Sequence, residues 1–95
     1  MKVHKNIKIT GIVQGVYFRA TTWDKARELG VKGFVRNQAD GSVYIEAEGD
    51  EAVLKKFIDW CHSGPAAARV DQVEVDAAMM KSFRTFEIRT QITQI

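Results

Sequence analysis

Along the first dozen positions, Val3, Lys5, Ile7, Ile9 and Gly11 alternate with His4, Asn6, Lys8, Thr10 and Ile12. This mostly apolar-in, polar-out period of two predicts a strand. The period then changes. After Gln14-Gly15-Val16-Tyr17-Phe18-Arg19, the residues Phe18, Thr22, Ala26 and Leu29 recur near helical spacing with Trp23 beside them, and Gly30 stands as the C-terminal stop. Val31 to Asn37 reads as a second strand around Phe34 and Val35. The Asp-Gly turn signal in Gln38-Ala39-Asp40-Gly41 predicts a hairpin to a third strand, where Val43, Ile45 and Ala47 resume alternation. Asp50 is expected to cap a second helix. Its Leu54, Phe57, Ile58 and Cys61 follow i, i+3, i+4, i+7, and Gly64-Pro65 ends it. Val73 and Val75, then Phe86 and Ile88, alternate with polar neighbours and predict two last strands joined around Met79-Met80-Lys81-Ser82.

Strand, helix, strand, strand, helix, strand and a last strand is the order of a split β-α-β unit. It predicts an α+β, ferredoxin-like sandwich: an antiparallel sheet with two helices on one face. In that topology the first and second strands run the same way with the third between them, so their carboxyl ends share one edge of the sheet. Gly15 and Asn37, 22 positions apart, are thereby expected at a common edge.

Composition narrows what such an edge could bind. The 95 residues carry a net charge of +2, with 45% hydrophobic and 27% charged residues, which fits one globular domain spanning 1–95. The excess of basic residues is too small and too scattered for a nucleic-acid binder and suits a small anion better. Cys61 is the sole cysteine, so no internal disulfide can form, and His4 and His62 with one thiol make a poor zinc set, so no metal is expected. Met1-Lys2-Val3-His4-Lys5-Asn6 interrupts its apolar residues with polar and charged ones, and no long apolar run follows. No membrane segment and a cytoplasmic location are the corresponding expectations.

The loop Gly15, Val16, Tyr17, Phe18, Arg19 enters a helix N-terminus, where unpaired N–H groups and the positive end of the helix dipole favour an anion. Gly15 can take positive φ, a turn of inward N–H groups makes a nest for phosphate oxygens, and Arg19 adds a permanently charged fork of donors. Gly15 could equally just turn the chain, with Arg19 on a solvated helix face. Phe18 is better explained as packing, and Tyr17 fits either role. Asn37 could be a simple turn residue at the end of its strand, or an amide that donates and accepts to hold a water at a set angle.

Gly11-Ile12-Val13-Gln14-Gly15-Val16-Tyr17-Phe18-Arg19 resembles the signature loop of the acylphosphatases. Leu29-Gly30-Val31-Lys32-Gly33-Phe34-Val35-Arg36-Asn37, followed by Asp40-Gly41-Ser42-Val43, is similar to that family's second motif. Gly64-Pro65-Ala66-Ala67-Ala68-Arg69-Val70 and Phe83 to Arg89 also fit. The resemblance implies hydrolysis of small acyl phosphates without a metal, and a monomer that uses no cofactor is the accompanying expectation. It further implies inorganic phosphate as product and competitive ligand, an arginine that binds the phosphoryl group, and an asparagine that orients water. Those roles fall on Arg19 and Asn37. Tyr44 departs from the family, which often carries an acidic residue there, and Thr90 to Ile95 extend past its usual end.

An acyl phosphate expels a carboxylate that needs no proton at neutral pH, so positioning and charge stabilisation suffice. No side-chain base is assigned, and the rate is expected to vary little with pH near neutrality. His4, at the far end of the first strand, and His62, at the end of the second helix, are expected at the surface. A shallow site that grips phosphate implies broad acyl tolerance. Two other functions fit the fold: an RNA-recognition module, for which Lys32-Gly33-Phe34-Val35 lies on the wrong strand, and a domain that binds an anion without turning it over.

Overall fold

The computed structural model describes residues 1–90, so the segment 91–95 of the Thr90–Ile95 extension lies outside the described residues. The elements are β1 (Lys2–Ile12), α1 (Phe18–Leu29), β2 (Lys32–Asn37), β3 (Val43–Asp50), α2 (Glu51–Cys61), β4 (Arg69–Ala78) and β5 (Phe86–Arg89). They form one five-stranded sheet in the order β4-β1-β3-β2-β5. β3 pairs antiparallel with β1 and with β2, which makes β1 and β2 run the same way.

One side of the sheet is the apolar one. Ile7 and Ile9 of β1, Val35 of β2, and Val43, Ile45 and Ala47 of β3 are buried together with Phe18 and Ala26 of α1 and Leu54, Phe57 and Cys61 of α2. The period of two within strands and of 3.6 within helices puts these residues on facing surfaces. Asp50 occupies the N-cap position of α2 but makes no side-chain capping bond. Its carboxylate lies 3.6 Å from the Met1 ammonium, and the carbonyl of Met1 accepts the Glu51 N–H at 3.0 Å.

The sheet is mixed. β5 pairs parallel with β2, in register Gly33↔Phe86 to Arg36↔Arg89, while the other pairs are antiparallel as expected. Chain length explains how this is reached. The connection 79–85 leaves β4 at one edge and enters β5 at the other, four strand spacings or about 19 Å away. Eight extended steps span roughly 26 Å, enough for the crossing but not for a detour around the helices.

The crossing passes over the helix-free face and corrects the placement of His4. That residue is 1% exposed. Its Nδ1 donates to Glu48 Oε2 at 2.7 Å, its Nε2 lies 2.8 Å from Asn6 Oδ1, and the Phe83 ring stacks on it with centroids 5.9 Å apart. Alternation correctly assigns His4 to the polar face of β1. The cover over that face comes from an irregular segment that has no period to read. His62 is exposed, as expected. The same cover, with Phe34 buried under Phe83, occupies sheet surface on which an RNA-recognition module would stack bases.

Candidate active site

β1 and β2 deliver their carboxyl ends to one edge, and there the two sequence segments meet. Gly15, Arg19 and Asn37 line a single open cavity of about 520 Å³, whose walls also include Val13, Tyr17, Ile88 and Thr90. The bend that carries β1 into this edge depends on Gly11. It sits at a register shift against β4, at φ +137, and a Cβ there would approach the Arg69 carbonyl oxygen to 2.1 Å. Backbone, not a side chain that could turn aside, blocks any larger residue.

Beyond the bend the loop alternates its conformation. Gly15 has φ 76 and Tyr17 φ 64, both left-handed. Left-handed residues interleaved with ordinary ones turn successive N–H groups toward a common point, the geometry of an anion nest. Tyr17 is the N-cap of α1, whose first turn holds no acidic residue and no side-chain cap. The first intrahelical bond into this end is Thr21 N–H to Tyr17 carbonyl at 3.0 Å. The N–H groups of Phe18, Arg19 and Ala20 therefore have no carbonyl four residues back to donate to. Phe18 itself is buried against Trp60, consistent with packing. Tyr17, which the sequence leaves open, projects its ring into solvent with 82% exposure.

Arg19 is half-buried in the first turn, and its Nη1 donates to the Arg89 carbonyl of β5 over a long 3.4 Å. Asn37 closes β2 opposite Val43. The hairpin that follows is closed by Gln38 N–H to Ser42 carbonyl at 2.9 Å. Asp40 braces it by accepting from the Ser42 N–H at 2.9 Å and pairing with Lys8 at 3.1 Å. The bonds from the Ser42 hydroxyl and N–H, assisted by Lys8, hold the Asp40 carboxyl down at about 2.

Sequence reasoning gave Gln14 no role of its own. Its Nε2 donates to the carbonyls of Gln38 and Ser42 at 2.8 and 2.9 Å, so one amide fastens the anion loop to the hairpin behind Asn37. The usable signal was a polar residue beside Gly15 on the shared edge. Gln14→Leu removes both bonds from half-buried carbonyls and lets the two halves of the site drift. The expected result is about a tenfold fall in kcat with KM changed less than threefold, since a misplacement of about 1 Å costs turnover of that order or more. Equal effects on kcat and KM would contradict a positioning role. Nor did the sequence mark β5 as a contributor, although its Ile88, and Thr90 just past its end, line the cavity.

The cavity thus offers a cation, an amide and helix-terminal N–H groups, a donor set for an anion. Among the described residues no group of three or more His, Cys, Asp or Glu could hold a metal ion.

The acylphosphatase family model matches residues 5–88. A curated acylphosphatase of Mannheimia succiniciproducens is 51% identical over 85 residues, covering 88% of this chain and 94% of the relative. The solved structure of an acylphosphatase from Coxiella burnetii superposes with a TM-score of 0.90 at 30% identity, over 93% of both chains. That of the Bacillus subtilis acylphosphatase superposes at 0.89 and 31%, over 94% of this chain and 99% of the other.

Proposed function

This chain belongs to the acylphosphatase family and is a hydrolase of acyl phosphates, and from that premise we propose that Arg19 and Asn37 divide the chemistry between them. The backbone N–H groups of Gly15, Val16, Tyr17, Phe18 and Arg19, with the Arg19 guanidinium, hold the phosphoryl oxygens. The Asn37 side chain aims a water at phosphorus. The observation that carries this assignment is that both side chains line the same cavity as the loop.

In the step itself the water oxygen bonds to phosphorus as the bond from phosphorus to the acyl oxygen breaks. The carboxylate departs with that electron pair and needs no proton, and the water's protons end on the phosphate product and in solvent. Charge on the three equatorial oxygens is met by donors already in place, which is where such sites derive most of their rate. No metal enters the scheme. No side-chain base enters it either: His4 is sealed on the opposite face of the sheet and His62 lies beyond α2, so the rate should be flat around neutral pH.

Inorganic phosphate, as product, occupies the same nest and competes with substrate. No helix among the described residues is long and apolar enough to cross a membrane. The proposal extends to a monomer and to a cytoplasmic location, the latter supported by the single, buried cysteine.

The test is hydrolysis of benzoyl phosphate in the presence of a metal chelator. Turnover is expected to survive the chelator and to fall by roughly a hundredfold in Asn37→Ala, mainly in kcat, because a water-orienting amide contributes in the transition state more than in substrate binding. Loss of activity with chelator would remove the metal-free mechanism. A native chain that binds phosphate without turnover would leave only an anion-binding module.

A further inference from the structure

The cavity has an anion-binding pole and an apolar wall, and the wall is not accounted for by phosphate. Tyr17 is 82% exposed and Ile88 is 44% exposed, yet both line the cavity that holds Arg19 and Asn37. Other exposed apolar side chains, such as Met79, Met80 and Val75, do not line it. Scattered exposed apolar residues are ordinary; two of them bordering one polar site are not.

The backbone makes Tyr17 the more informative of the two. A bulky residue at φ 64 is rare, because the left-handed region crowds its Cβ. The chain keeps an aromatic side chain at this position although the ring gains little burial from it. Ile88 lies on the helix side of β5, paired with Val35, and it lines the cavity together with the small Ala20 of α1. The buried Val13 continues the apolar lining inward.

We propose that Tyr17 and Ile88 seat the acyl group of the substrate and give this enzyme a graded preference for aromatic and branched acyl phosphates over acetyl phosphate. The inference rests on the phosphoryl group being held by Arg19 and the loop. With phosphate fixed there, the acyl substituent is the one part of the substrate left to meet the apolar wall. An acetyl group carries a single methyl to it, whereas a phenyl ring can lie against both side chains. The open cavity ranks acyl groups without excluding any, which keeps broad tolerance and adds an order to it.

The measurement is the ratio of kcat/KM for benzoyl phosphate to that for acetyl phosphate in the native chain, Tyr17→Phe, Tyr17→Ala and Ile88→Thr. The change of this ratio on substitution cancels both the intrinsic reactivities of the two compounds and any common effect on phosphate grip. Tyr17→Ala should lower the ratio about tenfold and Ile88→Thr about threefold, the scale on which apolar contacts discriminate. Tyr17→Phe should keep it. Ratios unchanged in Tyr17→Ala and Ile88→Thr while turnover still depends on Arg19 would overturn the acyl seat alone. Native rates retained in Arg19→Ala would remove the phosphate assignment and the acyl seat with it.

Discussion

Arg19→Ala is expected to lower kcat/KM for benzoyl phosphate by a hundredfold or more, with kcat falling and KM rising together. The guanidinium meets the phosphoryl oxygens in the bound substrate and meets them more strongly as charge develops, so its loss appears in both constants. Folding should hardly notice. Arg19 is half-buried, and its recorded protein bond is the 3.4 Å contact to the Arg89 carbonyl, at the long limit of a hydrogen bond. A melting temperature within a few degrees of the native one therefore separates the catalytic effect from a structural one. Arg19→Lys should recover only part of the activity, because one ammonium cannot reproduce a planar fork of donors aimed at two oxygens. Activity within threefold of native in Arg19→Ala would show that phosphate is held elsewhere.

The meeting of Arg19 and Asn37 was legible in the sequence because it depends on topology alone. Alternation identifies β1 and β3, the extended run around Phe34 and Val35 marks β2, the Asp-Gly turn joins β2 to β3, and a split β-α-β order then forces the ends of β1 and β2 onto one edge. What stayed hidden has no period. The crossing 79–85 is irregular, so neither the parallel pairing of β5 with β2 nor the burial of His4 beneath Phe83 could be read from spacing. Gln14 is hidden for another reason. Its bonds go to backbone carbonyls of Gln38 and Ser42, acceptors that every residue type offers and that leave no mark on the sequence. Tyr17 needed the structure as well as its identity: an aromatic residue beside a helix start is ordinarily packed, and neither its left-handed φ nor its 82% exposure has a mark in the sequence.

The largest effect on stability is expected from Glu48, far from the cavity. Its buried carboxylate accepts the N–H groups of Lys81 and Phe83 and the Nδ1–H of His4, so one side chain ties the crossing segment to β3 and β1. Glu46 adds a second tie, 2.8 Å from the Lys81 ammonium. Glu48→Ala leaves two backbone donors and a buried imidazole without their acceptor, a loss of about 3–5 kcal/mol by analogy with broken buried pairs. For a domain of this size that lowers the melting temperature by about 15 °C or more. Burial by itself would push the Glu48 carboxyl up, but the bonds from His4, Lys81 and Phe83 outweigh it and bring it below its usual 4.5. The same balance of burial against bonds from Lys81 and Tyr44 lowers Glu46. A carboxyl depressed in the folded state stabilises above its unfolded pKa, and that contribution disappears as pH falls through the folded value. The gap between native chain and Glu48→Gln, which removes the charge and keeps the shape, should thus be full at pH 7 and shrink below about pH 4. Because the crossing delivers β5, whose Ile88 lines the cavity with Thr90 just past the strand's end, activity should fail along with it in acid, before the sheet core itself unfolds. A Glu48→Ala chain that melts within 2 to 3 °C of native at pH 7, roughly half a kcal/mol, would mean that the crossing is held by its aromatic contacts and that this carboxylate is incidental.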